Sequence, residues 1–472
     1  MKKTITLLGF ILVGFKVFSQ LQPAANQPYN FSIADCINYA YEHQDSILNA
    51  KLDIKSAGYR VKETTAQGLP QINGAATFQD YLKTPVILFP NFITPAVYGV
   101  LIDKQVKDGT GNTITTIPDG AGGYQAVNFT QKYNSNLGLT LNQLIFDGSY
   151  IVALKARNTY KELFERNFVR TKIQTDVNVT KAYYQVLVSN EQLKLLDANI
   201  NQLKQQLDQT TAQNKQGFVE KIDVDRITVQ YNNLVVTREN TIRLLVLNYQ
   251  LLKFQMGMPI ETELTLKDKL ADVNLNNNLA DIATDTTFYH NRIEYNLLES
   301  NLKLTEYDVK RLKAQYLPRL SANGSTALAY QSNAISNLFT TTYPTTYVGL
   351  SLNLPIYTGG QRVNQIKQAQ ITVQKNRNNL DNLKNALSLQ ASQAKIVYLN
   401  GLQTLNNQKK SQELAREVLR VSKIKYQQGV GSSIEVTQAQ TELENADNQY
   451  IQGLYDALVS KVDLDRAYGR IK

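Results

Sequence analysis

Two histidines, one cysteine and three methionines are all that 472 residues offer to imidazole, thiol or thioether chemistry, and tryptophan is absent. His43 and His290 stand alone, without partners at metal-ligand spacing, and read as surface or capping residues. No G-x-G-x-x-G, P-loop or H-E-x-x-H motif occurs, and no Cys/His cluster. Cys36 has no second cysteine to pair with and falls on the apolar face of a helical pattern with Ile33, Ile37 and Ala40. One methionine is the initiator, so no thioether ladder is available to a soft metal. The sequence therefore points to no metal, no cofactor and no catalytic residue. What it does repeat is passive. Rows of Asn, Thr, Ser and Gly alternate with apolar residues, the pattern of a surface wet on one side only.

Those rows belong to a unit that occurs twice. Leu137 to Gly148 read LGLTLNQLIFDG, and Val348 to Gly359 read VGLSLNLPIYTG, an offset of 211 residues. Glycine turns follow each, KQGFVEKIDV around Gly217 and QQGVGSSIEV around Gly429, 212 residues apart. LPQI at Leu69 and LPRL at Leu317 open the two halves. The period is too long for a solenoid. The organisation expected is a leader at 1–19, a first repeat at 20–260, a connector at 261–285 and a second repeat at 286–472. Each repeat would hold a helix, two strands and a long helical hairpin.

Ile33 to Gly68 reads as one helix, stopped by Gly68 and Pro70. Residues 71–81 switch to period two, with Ile72, Gly74, Ala76 and Phe78 on one face. Leu82 to Gln125 is polar, rich in Gly, Pro and Thr, and reads as a surface loop. In the next strand Tyr133, Ser135, Leu137, Leu139 and Leu141 alternate with Asn134, Asn136, Gly138, Thr140 and Asn142. Residues 149–215 contain neither proline nor glycine, and as one helix would span roughly 100 Å at about 1.5 Å per residue. Leu193, Leu196, Ile200, Leu203 and Leu207 fall at coiled-coil spacing. The second half repeats the scheme: a helix over 286–316, strands near 320–328 and 348–354, a helix from 361 through Gly401 to 428, and a return helix after Gly431.

Lys2 and Lys3, an apolar run from Ile5 to Phe15 and Val17-Phe18-Ser19 make a secretory leader, with an uncleaved anchor as the alternative. The formal charge of +10 falls to +7 without Lys2, Lys3 and Lys16, and the basic residues are scattered, so no nucleic-acid partner is implied. No later stretch is apolar enough for a transmembrane helix. An exported chain of this kind is soluble or crosses a membrane as a β-barrel. Period-two strands fit both a barrel and any half-buried sheet. Four strands cannot close, since about eight is the usual minimum, so a barrel would need several chains; three would supply 12 strands. Tyr81, Tyr133, Tyr330, Tyr343 and Tyr347 lie near strand ends, as an interfacial belt or as ordinary strand aromatics.

The duplicated layout resembles the TolC family of outer-membrane efflux proteins over essentially the whole mature chain. The carriers are LSLNLPIYTGGQR (Leu350–Arg362) with LTLNQLIFDGS (Leu139–Ser149), and YQQGVGSSIEVTQAQTELENA (Tyr426–Ala446) with NKQGFVEKIDVDRITVQYNN (Asn214–Asn233). The resemblance implies a mainly helical protein that forms a homotrimer. Its transmembrane part would be a 12-stranded outer-membrane β-barrel, four strands per chain, continued by an α-helical coiled-coil barrel in the periplasm. It implies a passive exit duct in contact with outer-membrane lipid. The inner partners would be a periplasmic adaptor (membrane fusion protein) and an inner-membrane transporter, in a tripartite efflux pump or a type I secretion system. By position, Asp223 and Tyr426 match a carboxylate–tyrosine pair that holds neighbouring coiled coils together, and Glu435 matches an acidic ring that narrows the pore. The second ring position is Gln438, and a family arginine is replaced by Gly431; Lys221 and Asp225 stand nearby as latch candidates or solvated charges. The adaptor would dock at the tips, on Gly217, Phe218 and Val219 and on Gly429, Val430 and Gly431. A periplasmic adaptor or scaffold built on coiled-coil hairpins is the competing reading. Adaptors carry one hairpin flanked by small β-domains, whereas this chain has two hairpins. A secreted enzyme is disfavoured by the missing motifs.

Overall fold

The computed structural model describes residues 29–119, 122–270, 275 and 287–471. The leader at 1–19 and most of the connector lie outside them. The chain divides into two compact units, and each draws on both halves of the sequence.

One unit, Ser56–Glu162 with Ser300–Arg377, contains the main sheet. Strands β2 (Gln71–Asp80), β5 (Tyr133–Phe146), β7 (Arg319–Ser332) and β8 (Tyr343–Asn353) lie in the order β2-β5-β7-β8. Every neighbouring pair is antiparallel. Register fixes which side each residue faces. Ile72, Leu141, Gly324 and Val348 stand in one row, and Ala76, Leu137, Leu328 and Pro344 in another on the same face. The opposite face carries rows such as Gln71, Asn142, Asn323 and Gly349, and Asn73, Thr140, Ser325 and Tyr347. The alternation legible in each strand is thus brought into phase across all four. The apolar face is uncovered in the single chain, with Val348 88 % and Leu350 72 % exposed. Only one side of β2 and one side of β8 is hydrogen-bonded to a neighbour within the chain.

The same register separates the tyrosines. Tyr133 and Tyr330 share the apolar face, whereas Tyr343 and Tyr347, opposite Ala329 and Ser325, lie on the polar one. These four cannot form a single belt. The segment read as a bare loop contains structure as well: β3 (Ile87–Pro90) pairs with β4 (Tyr124–Val127), and α3 (Ile93–Asp103) lies between them. Its start is set by Asn91, whose Oδ1 accepts from the Thr94 amide at 3.1 Å. Pro90 ends β3 and Pro95 lies in the first turn of α3, where proline costs no hydrogen bond, while Pro85, Gly109, Gly111 and Pro118 do lie in irregular stretches between the elements.

The other unit combines the chain up to Lys55 with Leu163–Glu299 and Asn378–Lys472. The long helices are α4 (Gly148–Lys215), α5 (Lys221–Met256), α7 (Gln361–Gln427) and α8 (Ser433–Ala467), with α6 (Ile293–Ala314) preceding β7. Leu196, Leu203, Ile227 and Leu234 close the seam of α4 with α5. Leu419, Val436, Ala439 and Leu443 close that of α7 with α8. β1 (Tyr29–Phe31) pairs in parallel with β6 (Leu264–Leu266).

The N-terminal helix is two helices, α1 (Ile33–His43) and α2 (Asp45–Ala66). Gln44 between them is extended, at φ −71° and ψ 123°. Its Oε1 accepts from the Ser46 amide at 2.6 Å, which caps the new helix. Gly257 lies against this break, where a Cβ would come within 2.6 Å of the His43 carbonyl. Cys36 is fully buried with Ala40, Val179 and Tyr183, and burial pushes its thiol up to about 12.

Candidate functional site

Both hairpin tips are built the same way. At the end of α4 the Phe218 amide donates to the Gln213 carbonyl and the Gly217 amide to Asn214; at the end of α7 Val430 donates to Lys425 and Gly429 to Tyr426. This double pattern needs a left-handed residue at the penultimate donor. Gly217 has φ +79° and Gly429 φ +72°. Nothing lies within 4 Å of a Cβ built on either glycine, so backbone conformation alone demands glycine there. Gly431 differs: a Cβ would lie 3.0 Å from the Lys425 Cβ and 3.1 Å from the Tyr426 amide nitrogen. That closeness leaves little room for the arginine of the family pattern in this turn.

Each tip presents an apolar pair on its outside. Phe218 is 77 % and Ile222 51 % exposed; Val430 is 79 % and Ile434 56 % exposed. Val219 is half-buried, and its carbonyl accepts from Asn214 Nδ2 at 2.7 Å. Lys221 and Asp225 are exposed.

The two tips meet through Asp223, in the first turn of α5. Its Oδ1 accepts a short hydrogen bond from Ser433 Oγ at the start of α8 and lies 3.5 Å from Arg226 Nη1. Tyr426, in the last turn of α7, is close enough that Asp223's charge, after burial, helps raise its phenol above the ordinary value. Its hydroxyl is buried without a hydrogen-bond partner. Within one chain Asp223 and Tyr426 are therefore neighbours but not hydrogen-bonded, and Ser433 takes the carboxylate. Glu435 and Gln438 are exposed, three residues apart on one side of α8. The Glu435 amide donates to Ser432 Oγ at 3.2 Å, the N-cap of that helix.

Farther along the hairpins, Asp447 is buried and accepts from Asn199 Nδ2 and Gln412 Nε2, each at 2.8 Å. It fastens α8 to both α4 and α7. Sequence reasoning missed Asp447 and Ser433. An acid or a serine on a polar helix carries no local mark of a partner some two hundred residues away. The histidines are surface residues: exposed His43 stacks on Tyr39 at 3.9 Å, and exposed His290 lies 4.4 Å from the Tyr289 ring. Among the described residues no group of three or more His, Cys, Asp or Glu could hold a metal.

Comparison with known proteins matches residues 297–470 to the family described as outer membrane efflux protein. The chain is 24 % identical over 373 residues to outer membrane protein TolC of Escherichia coli (strain K12), covering 74 % of this chain and 72 % of that protein. It is 23 % identical over 340 residues to the proteases secretion protein PrtF of Dickeya chrysanthemi, covering 71 % of this chain and 72 % of the other. The crystal structure of the outer membrane protein VceC from Vibrio cholerae superposes with a TM-score of 0.67 at 14 % identity. That match covers 93 % of this chain and 96 % of that one.

Proposed function

We propose, from the premise that this chain is an outer-membrane efflux protein of the TolC type, that it is the passive exit duct of an efflux pump or a type I secretion system. The observation that carries the reading is the sheet. Four strands in register present one mainly apolar face, interrupted by the Thr326–Thr346 pair, and one mainly polar face, with both edges unpaired within the chain. In lipid, unpaired edges cost several kcal/mol per group. Pairing β2 of one copy with β8 of the next satisfies them, and three copies give a closed 12-stranded barrel with its apolar face to lipid. The helical hairpins form the periplasmic part in this reading. PrtF, named for protease secretion, and TolC are both among the similar proteins, so either kind of assembly is compatible with this chain.

The tips are the docking surface for a periplasmic adaptor in this reading. Phe218 with Ile222, and Val430 with Ile434, offer it two small apolar contacts. The resting constriction is assigned to Asp223 and Ser433, whose hydrogen bond ties one hairpin to the other, to Tyr426 beside them, and to Glu435 and Gln438 on the exposed side of α8. The test is single-channel recording from the purified protein in planar bilayers. The wild type should conduct weakly as a trimer, and Asp223→Ala with Ser433→Ala should raise resting conductance at least several-fold. A conducting monomer would overturn the duct assignment. An unchanged conductance in the double variant would move the constriction elsewhere.

A further inference from the structure

Near the tips, α4 and α7 line a half-open cavity of about 210 Å³. Its α4 side is a ladder of glutamines, among them Gln202, Gln206 and Gln209, and its α7 side carries Lys423 and Tyr426. No carboxylate lines it. Among the described residues Lys423 has neither an ion pair nor a hydrogen bond, and burial alone lowers its ammonium to about 8. Gln206 Oε1 and the Tyr426 hydroxyl are both buried without partners. Two buried polar groups left without partners beside one void are costly, and native interiors rarely leave such groups empty-handed; the half-buried Lys423 supplies the only charge at its lining.

We propose that this cavity binds a small carboxylate anion, held by Lys423 Nζ, the Tyr426 hydroxyl and the side-chain amide of Gln206, and thereby bridges α4 and α7. Each donor suits that ligand. The ammonium offers three N–H groups and the phenol one O–H, and a half-turn of the Gln206 amide presents its NH₂ at no steric cost. Charge selects a monoanion over a dianion, because the lining supplies one positive charge while Asp223, just outside it, already bears on Tyr426 with a negative one, so a second negative charge on the ligand would go unpaired. Size agrees: 210 Å³ is ample for a small anion such as acetate with part of its hydration. Binding here needs no transport, so it stands or falls separately from the duct reading.

The test uses the full-length protein in detergent with acetate as the probe and chloride at equal ionic strength as the control. Lysines are labelled at pH 8 with trace amounts of an N-hydroxysuccinimide ester and quantified individually by mass spectrometry. Acetate at about 100 mM is expected to slow labelling of Lys423 several-fold while leaving exposed Lys221 unchanged. It should also raise the unfolding temperature of the wild type, as any ligand specific to the folded state does. That increment should vanish in Lys423→Met and shrink in Tyr426→Phe. Equal labelling of Lys423 in acetate and chloride would overturn the site, and so would an acetate increment that survives in Lys423→Met.

Discussion

Glu444 in α8 is an acid in an unfavourable place. Burial raises its carboxyl above the usual range, and the charge of Asp447 one turn away adds to the shift, against a hydrogen bond from Gln440 that lowers it. A raised carboxyl means that the folded state holds its proton more tightly than the unfolded one. The stability this contributes is complete at low pH and is lost as the pH climbs through the raised value. Glu444→Gln keeps the shape and removes the charge. It should raise the unfolding temperature by a few degrees at pH 7.5 and by nothing at pH 4, measured by thermal unfolding at the two pH values. Little of this scale is legible in the sequence. Asp223, Tyr426 and Glu435 stand out only through resemblance to a family. Ser433, Gln206 and Lys423 are ordinary polar residues on solvated helices until two hairpins are laid side by side.

At the scale of elements the sequence is far more open, because a strand or helix writes its periodicity into neighbouring residues. The alternation around Leu137–Leu141 and Val348–Leu352 gives both the strands and the side each residue faces. Leu352→Arg places a charge on the apolar face and should cost roughly 2–4 kcal/mol if it lies near the midplane of a bilayer. Asn353→Arg, one residue on, points to the polar face and should be tolerated. Comparing trimer yield in outer-membrane extracts decides this, and equal yields would mean that the facing is wrong. Where elements were missed, a tertiary contact or a local cap had overridden the pattern. Gln44 breaks an otherwise continuous helical run because Gly257 packs against its backbone. α3 hides in a Gly- and Pro-rich stretch because its apolar residues do not alternate in phase with a buried face.

The whole molecule is where duplication in sequence and compactness in space part company. Each half of the chain contributes to both compact units, so neither unit can be read as a continuous stretch. The helical seams are closed within a single chain by Leu196, Leu203, Ile227 and Leu234, and by Leu419, Val436, Ala439 and Leu443. The sheet has no such self-sufficiency, because neither of its edges is paired within the chain. Dissociating the trimer in detergent should therefore remove strand structure while much of the helix survives. Infrared amide I spectra followed across the dissociation measured by sedimentation check this, and a simultaneous loss of both would show that the hairpins depend on assembly too. The paired tips carry one last consequence. Phe218 and Ile222 on one tip do not match Val430 and Ile434 on the tip beside it, although both turns share one backbone design. Three chains would display six sockets of two alternating kinds. A ring of six identical partner molecules could seat on them only by tolerating two chemistries, whereas a ring of three could choose one and ignore the other. Stoichiometry at this junction is thus a matter of how strictly the partner distinguishes phenylalanine from valine.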